Sequence, residues 1–274
     1  MDQHHRPPVT RRFVPDRVAG QDNPRAVSAW TPTSEGVWLH ARLLRPPGRS
    51  EGPILMLHGL GVSAASLGPL AEILSERHVV AVIDLPGFGR TSTDRVWTTA
   101  EVAEAVATAM ARRSFRDMTV VGHSWGCHVG AVLAAAHPEL VSRLVMLSPG
   151  FDGGRGGPLG LLLRLAADAP MERPALLGGA FVDYMHAGPR RVIGTLIEAS
   201  SLRLGDIVGE VHAPMMVVRG SRDPLATSRW AASLAARART PATIAEIPRA
   251  AHGLGHDAPV AVARAIEAFL ELPR

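Results

Sequence analysis

The chain has 274 residues, a formal net charge of +4 at pH 7, 46% hydrophobic residues and 20% charged residues. This balance suits one large globular domain or one domain with an insertion, and it argues against disorder throughout the chain. All 29 basic residues are arginine, so chemistry that requires a lysine, such as a Schiff base or a Walker-type phosphate loop, is excluded. The single cysteine, Cys127, excludes an intramolecular disulfide and a cysteine zinc cluster.

Partners and location follow from the same composition. Aromatic residues make up only 4% of the chain and are not interleaved with the arginines, so we expect no nucleic-acid partner. The N-terminus lacks the apolar stretch of a signal peptide, and no run of about 18 apolar residues occurs. We therefore expect a cytoplasmic protein without a membrane span.

Apolar runs and helical stretches alternate along most of the chain. Residues 1–25 are polar and carry Arg and Pro, which predicts a flexible N-terminal arm. The alternating pattern of residues 37–44 predicts an antiparallel edge strand. Continuous apolar runs predict buried strands at residues 54–57, 79–83, 118–121, 144–147 and 215–218, and a further strand is predicted at residues 242–247. Helices are predicted at residues 66–77, 99–113, 127–137, 225–239 and 259–272.

The alternation breaks between residues 150 and 209. Residues 150–157 hold five glycines, and the following stretch is helical in character but is interrupted by prolines. Because alternating strands and helices imply a mostly parallel sheet covered on both faces, we predict a core formed by residues 26–149 and 210–274. Residues 150–209 are predicted to form a helical lid inserted into this core.

Ser124 is the predicted nucleophile. It lies in the sequence Gly-His-Ser-Trp-Gly, between a predicted strand and a predicted helix. In this context a Gly-x-Ser-x-Gly motif holds the serine on a sharp turn with a strained backbone, and the flanking glycines, Gly122 and Gly126, relieve the crowding. Cys127 lies one helical turn beyond, and we interpret it as a small buried residue rather than a thiol nucleophile.

A serine hydroxyl needs a base to activate it, and the base needs an acid to orient it. Asp223 follows the predicted strand at 215–218, and His252 follows the strand at 242–247. Because such groups gather at the carboxyl ends of parallel strands, Asp223 is the predicted acid and His252 the predicted base. His256 is the competing base, and Asp84, within a Pro-Gly turn sequence, is the competing acid.

Acyl transfer also requires two backbone N–H groups that stabilise the oxyanion. Trp125, directly after the nucleophile, and Leu60, in the glycine-containing loop after residues 54–57, are the predicted donors. This chemistry needs no cofactor and no metal ion. In the predicted lid, Tyr184 and Phe181 are the predicted substrate contacts, and its apolar residues predict a small-molecule acyl substrate with a sizeable apolar part.

Five motifs in this order resemble those of the α/β-hydrolase fold superfamily over about residues 30–272. They are HGLG at 58–61, DLPGFGRTS at 84–92, GHSWG at 122–126, GSRDP at 220–224 and AHG at 251–253. The resemblance implies a mostly parallel, eight-stranded sheet flanked by helices, with the lid inserted after strand 6. It also implies a Ser-Asp-His triad, with Asp84 in a structural turn.

The resemblance implies a serine hydrolase that cleaves a carboxylic ester, a thioester or a related acyl compound through an acyl-enzyme. Epoxide hydrolases and haloalkane dehalogenases carry Asp at the elbow instead, because an ester of Asp can be hydrolysed after alkyl transfer. An ether on Ser124 could not be hydrolysed, so epoxide or halide displacement is not expected of this chain. Two alternatives are left open. The same triad could cleave a carbon–carbon or amide bond or perform perhydrolysis, or the fold could serve as a non-catalytic ligand-binding protein.

Overall fold

The computed structural model describes residues 25–150, 160, 163–164 and 167–273, together with the backbone of residues 13–15. Most of the predicted N-terminal arm, and most of the glycine-rich stretch at 150–157, therefore lie outside the described residues. Nine described strands form one sheet in the order β1-β2-β3-β5-β4-β6-β7-β8-β9.

The strands are β1 (Phe13–Pro15), β2 (Ala26–Pro32), β3 (Trp38–Leu44), β4 (Pro53–Leu57), β5 (Val79–Ile83), β6 (Met118–His123), β7 (Val141–Leu147), β8 (Met215–Gly220) and β9 (Ala242–Ile247). The helices are α1 (Gly68–Leu74), α2 (Thr99–Arg112), α3 (Trp125–Ala136), α4 (Pro174–Ala187), α5 (Pro189–Ser201), α6 (Leu204–Val208), α7 (Ser228–Arg237), α8 (Leu254–Asp257) and α9 (Pro259–Leu270). Short 3-10 helices span Ala64–Leu67 and Ala169–Met171.

The sheet confirms the predicted α/β architecture. Strands β4 to β9 pair in parallel, whereas β2 and β3 are antiparallel to their neighbours. The eight expected strands are β2 to β9, and β1 adds a ninth at the edge, where Phe13 pairs with Ala29. This short strand lies within the segment predicted as an arm.

The prediction that residues 37–44 form an edge strand is wrong. Strand β3 lies between β2 and β5 and pairs with both of them. The alternating pattern arises because its second face carries polar residues that are buried and paired: His40 contacts Asp84 at 2.7 Å and Arg42 contacts Glu72 at 3.2 Å. Strand β2 escaped prediction because its sequence, AVSAWTP, is short of strong strand formers.

Helices cover both faces of the sheet. Because successive strand residues point to opposite faces, Leu55 and Leu57 pack in a cluster that includes residues of α2 and α3. Their neighbours Ile54 and Met56 pack in a second cluster that includes residues of α1 and α9. Strands β4 to β8 are thus buried on both sides, whereas the edge strand β9 is partly exposed, and the carboxyl ends of all six share one edge of the sheet.

Helices α4, α5 and α6 lie between β7 and β8, that is, after the sixth of the strands β2 to β9. We call residues 167–208 the insertion. Two contacts attach α5 to the core: Arg191 donates to the Gly87 carbonyl at 3.1 Å, and the Glu198 carboxylate accepts from the Thr99 N–H at 2.9 Å. Across the residues described, no helix has both the length and the apolar character needed to cross a membrane.

Candidate active site

Ser124 occupies a strained turn between β6 and α3. Its backbone angles are φ 53° and ψ −115°, a conformation that costs a non-glycine residue about 1–3 kcal/mol. The turn is tight enough to exclude side chains on either side. A Cβ on Gly122 would lie 2.3 Å from the Gly126 carbonyl oxygen, and one on Gly126 would lie 2.2 Å from the Leu57 carbonyl oxygen. The flanking glycines therefore allow the backbone to bring the Ser124 side chain to the end of the sheet.

Asp223 and His252, which follow neighbouring strands, are brought into direct contact. The Nδ1 atom of His252 lies 3.0 Å from Oδ2 of Asp223. The other oxygen of Asp223 accepts from the N–H groups of Leu225 and Ala226 at 2.8 and 3.0 Å. Because a carboxylate only accepts hydrogen bonds, Asp223 fixes the imidazole proton on Nδ1 and leaves Nε2 as the acceptor.

The two groups shift each other's ionisation. Burial acts to raise the pKa of Asp223, but the charge and hydrogen bond of His252 outweigh it and hold that pKa well below its usual range. Burial acts to lower the pKa of His252, but the attraction of Asp223 prevails and raises it. The Nε2 atom of His252 is buried and has no hydrogen-bond partner among the described residues.

Ser124 and His252 line the same cavity, which has a volume of about 670 Å³. Tyr184, one of the two predicted substrate contacts, also lines it, whereas Phe181 does not. The side chain of Phe181 is 66% exposed, because the face of α4 that meets the cavity follows the helical spacing of Leu176, Ala180 and Tyr184. The other apolar lining residues described are Leu60, Val62, Leu67, Trp125, Ala169, Leu177, Val192, Ile193, Leu196, Ala199 and Leu225.

Both predicted oxyanion donors border this cavity. Trp125 is the first residue of α3, so its N–H is one of those that a helix leaves without an internal acceptor. Leu60 lies in the loop after β4, which packs against the turn: a Cβ on Gly59 would lie 3.2 Å from Cβ of Ser124. His58 braces this loop, because Nδ1 bonds the Gly59 carbonyl at 2.7 Å while Nε2 accepts from a backbone N–H at 3.0 Å.

The side chains that competed with the predicted triad for the roles of acid, nucleophile and base have other hydrogen-bond partners. Asp84 accepts from the N–H groups of Ala64 and Arg90 at 2.8 and 3.0 Å, which is the role of a residue that fixes a turn. Cys127 is fully buried, its thiol donates to the Gly122 carbonyl at 3.1 Å, and burial raises its pKa. His256 lines the cavity but pairs with its neighbour in the sequence, Asp257, at 2.7 Å.

Two acidic residues of the insertion contact the loop that carries the imidazole. Asp168 accepts from the His252 N–H at 3.1 Å, and Glu172 accepts from the Gly253 N–H at 2.6 Å. Burial, together with hydrogen bonding to Asp257 and the nearby charge of Asp168, raises the pKa of Glu172 to about 9, so this side chain is neutral at pH 7. Its second oxygen is buried without a donor among the described residues, which a proton on that oxygen explains.

Sequence reasoning did not predict that these two acids contact the loop of His252, and it did not identify His128, a buried histidine of α3 that also lines the cavity. No local signal marks any of the three. The acids bond to main-chain groups more than 80 residues away, and His128 lies in an Ala-rich helix whose sequence does not reveal which face meets a cavity.

A serine on a strained strand–turn–helix junction, with a carboxylate-held imidazole at the same sheet edge, is the arrangement typical of the α/β-hydrolase fold. The family model for the alpha/beta hydrolase fold matches residues 52–179. This match covers a little under half of the chain, so it shows a similarity to that family over its N-terminal part.

Its relatives include several hydrolases. It is 29% identical to a pimeloyl-[acyl-carrier protein] methyl ester esterase of Chromobacterium violaceum over 241 residues, which cover 76% of this chain and 91% of that protein. It is 30% identical over 114 residues to abhydrolase domain-containing protein abhd-5.2 of Caenorhabditis elegans, covering 39% of this chain and 26% of that protein. The chain spans about half the length of several other curated relatives that it matches.

Among solved structures, the enol-lactonase from Burkholderia xenovorans LB400 superposes with a TM-score of 0.77 at 20% sequence identity. The match covers 89% of this chain and all of the lactonase. At this identity the likeness concerns the fold alone.

Proposed function

We propose that the protein is a serine hydrolase that cleaves a carboxylic ester, a thioester or a related acyl compound whose acyl part is largely apolar. One observation carries the proposal. Ser124 and His252 line one cavity, and Asp223 binds the far nitrogen of the imidazole while Nε2 has no described partner. A base held in this way can receive a proton from the serine.

In the proposed reaction, Nε2 of His252 takes the Ser124 proton as the hydroxyl oxygen attacks the substrate carbonyl. The oxyanion that forms is stabilised by the backbone N–H groups of Leu60 and Trp125, and each such donor contributes about 10²–10³ in rate. His252 then protonates the departing alcohol or thiol, leaving an ester on Ser124. Water, deprotonated by the same imidazole, hydrolyses that ester and regenerates the enzyme.

The ionisation of the paired groups suits these roles. The low pKa of Asp223 keeps its carboxylate charged while the imidazole gains and loses its proton. The raised pKa of His252 means that the imidazolium formed during attack is stabilised until the leaving group takes the proton. Asp223 is therefore the orienting acid, and it does not itself transfer a proton.

The cavity supports an apolar substrate. None of the lining residues within the described part of the chain is an arginine, so these residues offer no guanidinium to a substrate carboxylate. Glu172 is neutral at pH 7 because its pKa is raised to about 9, and Asp168 is engaged with the His252 N–H. A cavity of this size and lining suits a small to medium acyl group, over which we propose that the insertion acts as a lid.

The name of one relative, a methyl ester esterase, supports an ester as the bond that is cleaved. The competing readings within this fold are a carbon–carbon or amide hydrolase, a perhydrolase, and a protein that binds a ligand without catalysis. They differ from the proposal in measurable ways, because only the enzymatic readings require a reactive serine and only the ester reading requires turnover of simple activated esters.

A fluorophosphonate probe, combined with a panel of nitrophenyl esters of increasing chain length, tests the proposal. We expect the probe to label the wild-type protein and the Cys127→Ala variant, and not Ser124→Ala. Turnover of the preferred ester should fall by up to about 10⁶-fold in Ser124→Ala. Labelling that persists in Ser124→Ala would contradict the assignment of the nucleophile. A wild-type protein that is not labelled would favour ligand binding, and labelling without ester turnover would favour amide or carbon–carbon cleavage.

A further inference from the structure

His128 is a polar side chain in an apolar part of the cavity. It lies on α3, one turn after Ser124, and lines the same cavity as that serine. The residue is only 3% exposed. Its ring approaches the chain just after β7, since a Cβ on Gly150 would lie 3.4 Å from Cε1 of His128.

Neither nitrogen of the His128 ring makes a hydrogen bond of good geometry with a residue that the structure describes, and the only described group that interacts with the ring's ionisation is the Ser124 carbonyl. The other buried histidines of the described part all have at least one hydrogen-bond partner for their rings. They are His40, His58, His78 and His252. Because buried polar groups are almost always paired, an imidazole at a cavity wall without a well-formed hydrogen bond indicates a partner from beyond the described residues, and a ligand in the cavity can be that partner.

The charge state of the ring limits what that partner can be. Burial lowers the pKa of His128 to about 4, against the opposing effect of the Ser124 carbonyl. At neutral pH the ring is therefore uncharged, with one N–H donor and one acceptor nitrogen. It has no charge with which to attract a carboxylate or a phosphate, but it can donate to a neutral oxygen or accept from a hydroxyl group.

We propose that His128 is a specificity-determining residue that forms a hydrogen bond with a neutral keto or hydroxyl oxygen on the substrate. This oxygen lies within a few bonds of the carbonyl that Ser124 attacks, because His128 follows Ser124 by one helical turn. The inference rests on the proposed ester hydrolysis and specifies its substrate class: an acyl compound that is apolar apart from one neutral oxygen near the scissile bond. Sites that hydrogen-bond one substrate group discriminate against analogues that lack it, because their own polar group is then left unpaired.

The test compares nitrophenyl hexanoate with its 4-oxo and 5-oxo analogues, with each rate divided by that of the ester's uncatalysed hydrolysis. We expect the wild-type protein to favour one oxo ester about tenfold in kcat/KM, which corresponds to about 1.4 kcal/mol. His128→Leu should bring this ratio close to one. His128→Asn, which keeps a donor and an acceptor, should retain part of the preference. Leu196→Ala, which enlarges the same cavity without removing a polar group, should lower both rates and keep the ratio.

Thermal unfolding distinguishes a binding role from a structural one. Leucine removes an unpaired polar group from a buried site, so the Tm of His128→Leu should equal or exceed that of the wild-type protein. A lower Tm would show that the ring stabilises the fold and would overturn the proposal. A wild-type protein that hydrolyses hexanoate through Ser124 but prefers neither oxo ester would also overturn it while leaving the proposed hydrolase function intact. Failure to hydrolyse any of the three esters would instead count against that function.

Discussion

Replacing Glu172 with glutamine should stabilise the protein at alkaline pH and have little effect at acidic pH. In the unfolded chain this glutamate ionises near its ordinary pKa of 4.5, whereas burial and its acidic neighbours raise the folded pKa to about 9. The folded state therefore holds a proton that the unfolded state loses, so stability falls as the pH rises from 4.5 towards 9. A glutamine amide is neutral at every pH and reproduces the protonated carboxyl: its oxygen accepts from the Gly253 N–H, and its NH₂ group donates to Asp257.

The size of the effect follows from the linkage relation. A group that is protonated only in the folded state changes the free energy of unfolding by about 1.36 kcal/mol per pH unit, or about 4 kcal/mol between pH 5 and pH 8. Glu172 is partly exposed, so solvent screening reduces this to about 1–2 kcal/mol. For a domain of this size that corresponds to about 2–8 °C in Tm.

The assay is thermal unfolding of the wild-type protein and the Glu172→Gln variant across pH 5–8. The two Tm curves should converge at pH 5 and separate as the pH rises, with the variant higher. Glu210→Gln, at an exposed glutamate, is the matched control and should follow the wild-type curve. Parallel curves for the wild-type protein and Glu172→Gln would show that Glu172 ionises normally in the folded state and would refute the reasoning.

Two further predictions concern the triad and the turn. Asp223→Asn should lower kcat by about 10⁴-fold. In the wild-type protein, kcat/KM should fall with decreasing pH through an inflection above pH 6.5, because Asp223 raises the pKa of His252. Any residual activity of Asp223→Asn should show this inflection at a lower pH. Gly126→Ala should lower the free energy of unfolding by more than about 3 kcal/mol, because the added Cβ would lie 2.2 Å from the Leu57 carbonyl oxygen. Gly178→Ala, in α4 with open space around it, should instead raise the free energy of unfolding by up to about 1 kcal/mol. Urea denaturation measures the free energy of unfolding of the two glycine variants, and equal effects of the two substitutions would contradict the geometry of the turn.

The features that could be predicted from the sequence are those encoded by neighbouring residues. The buried parallel strands are continuous apolar runs, and the turn at Ser124 is specified by a strand, two glycines and a helix within about twenty residues. Asp223 and His252 could be paired because each follows a recognisable strand, and parallel topology brings the ends of such strands together.

The remaining features depend on contacts that the sequence pattern does not encode. Asp168 and Glu172 bond to main-chain N–H groups of a distant loop, and main-chain donors are the same at every residue. Phe181 was predicted to contact substrate because its spacing from Leu176 and Leu177 placed it on the apolar underside of the lid, but which face of α4 meets the cavity depends on how the helix packs against the core. The position of β3 inside the sheet depended on β2, whose own sequence gives little indication of a strand.

The contacts of Asp168 and Glu172 connect the insertion, which borders the cavity, to the loop that carries His252. These two acids hold the backbone of His252 and Gly253 by hydrogen bonds. A movement that carried Asp168 and Glu172 away from the core would break these bonds and free the backbone of His252. The alignment of the base therefore depends on the position of these two acids, because their hydrogen bonds hold the loop that carries the imidazole.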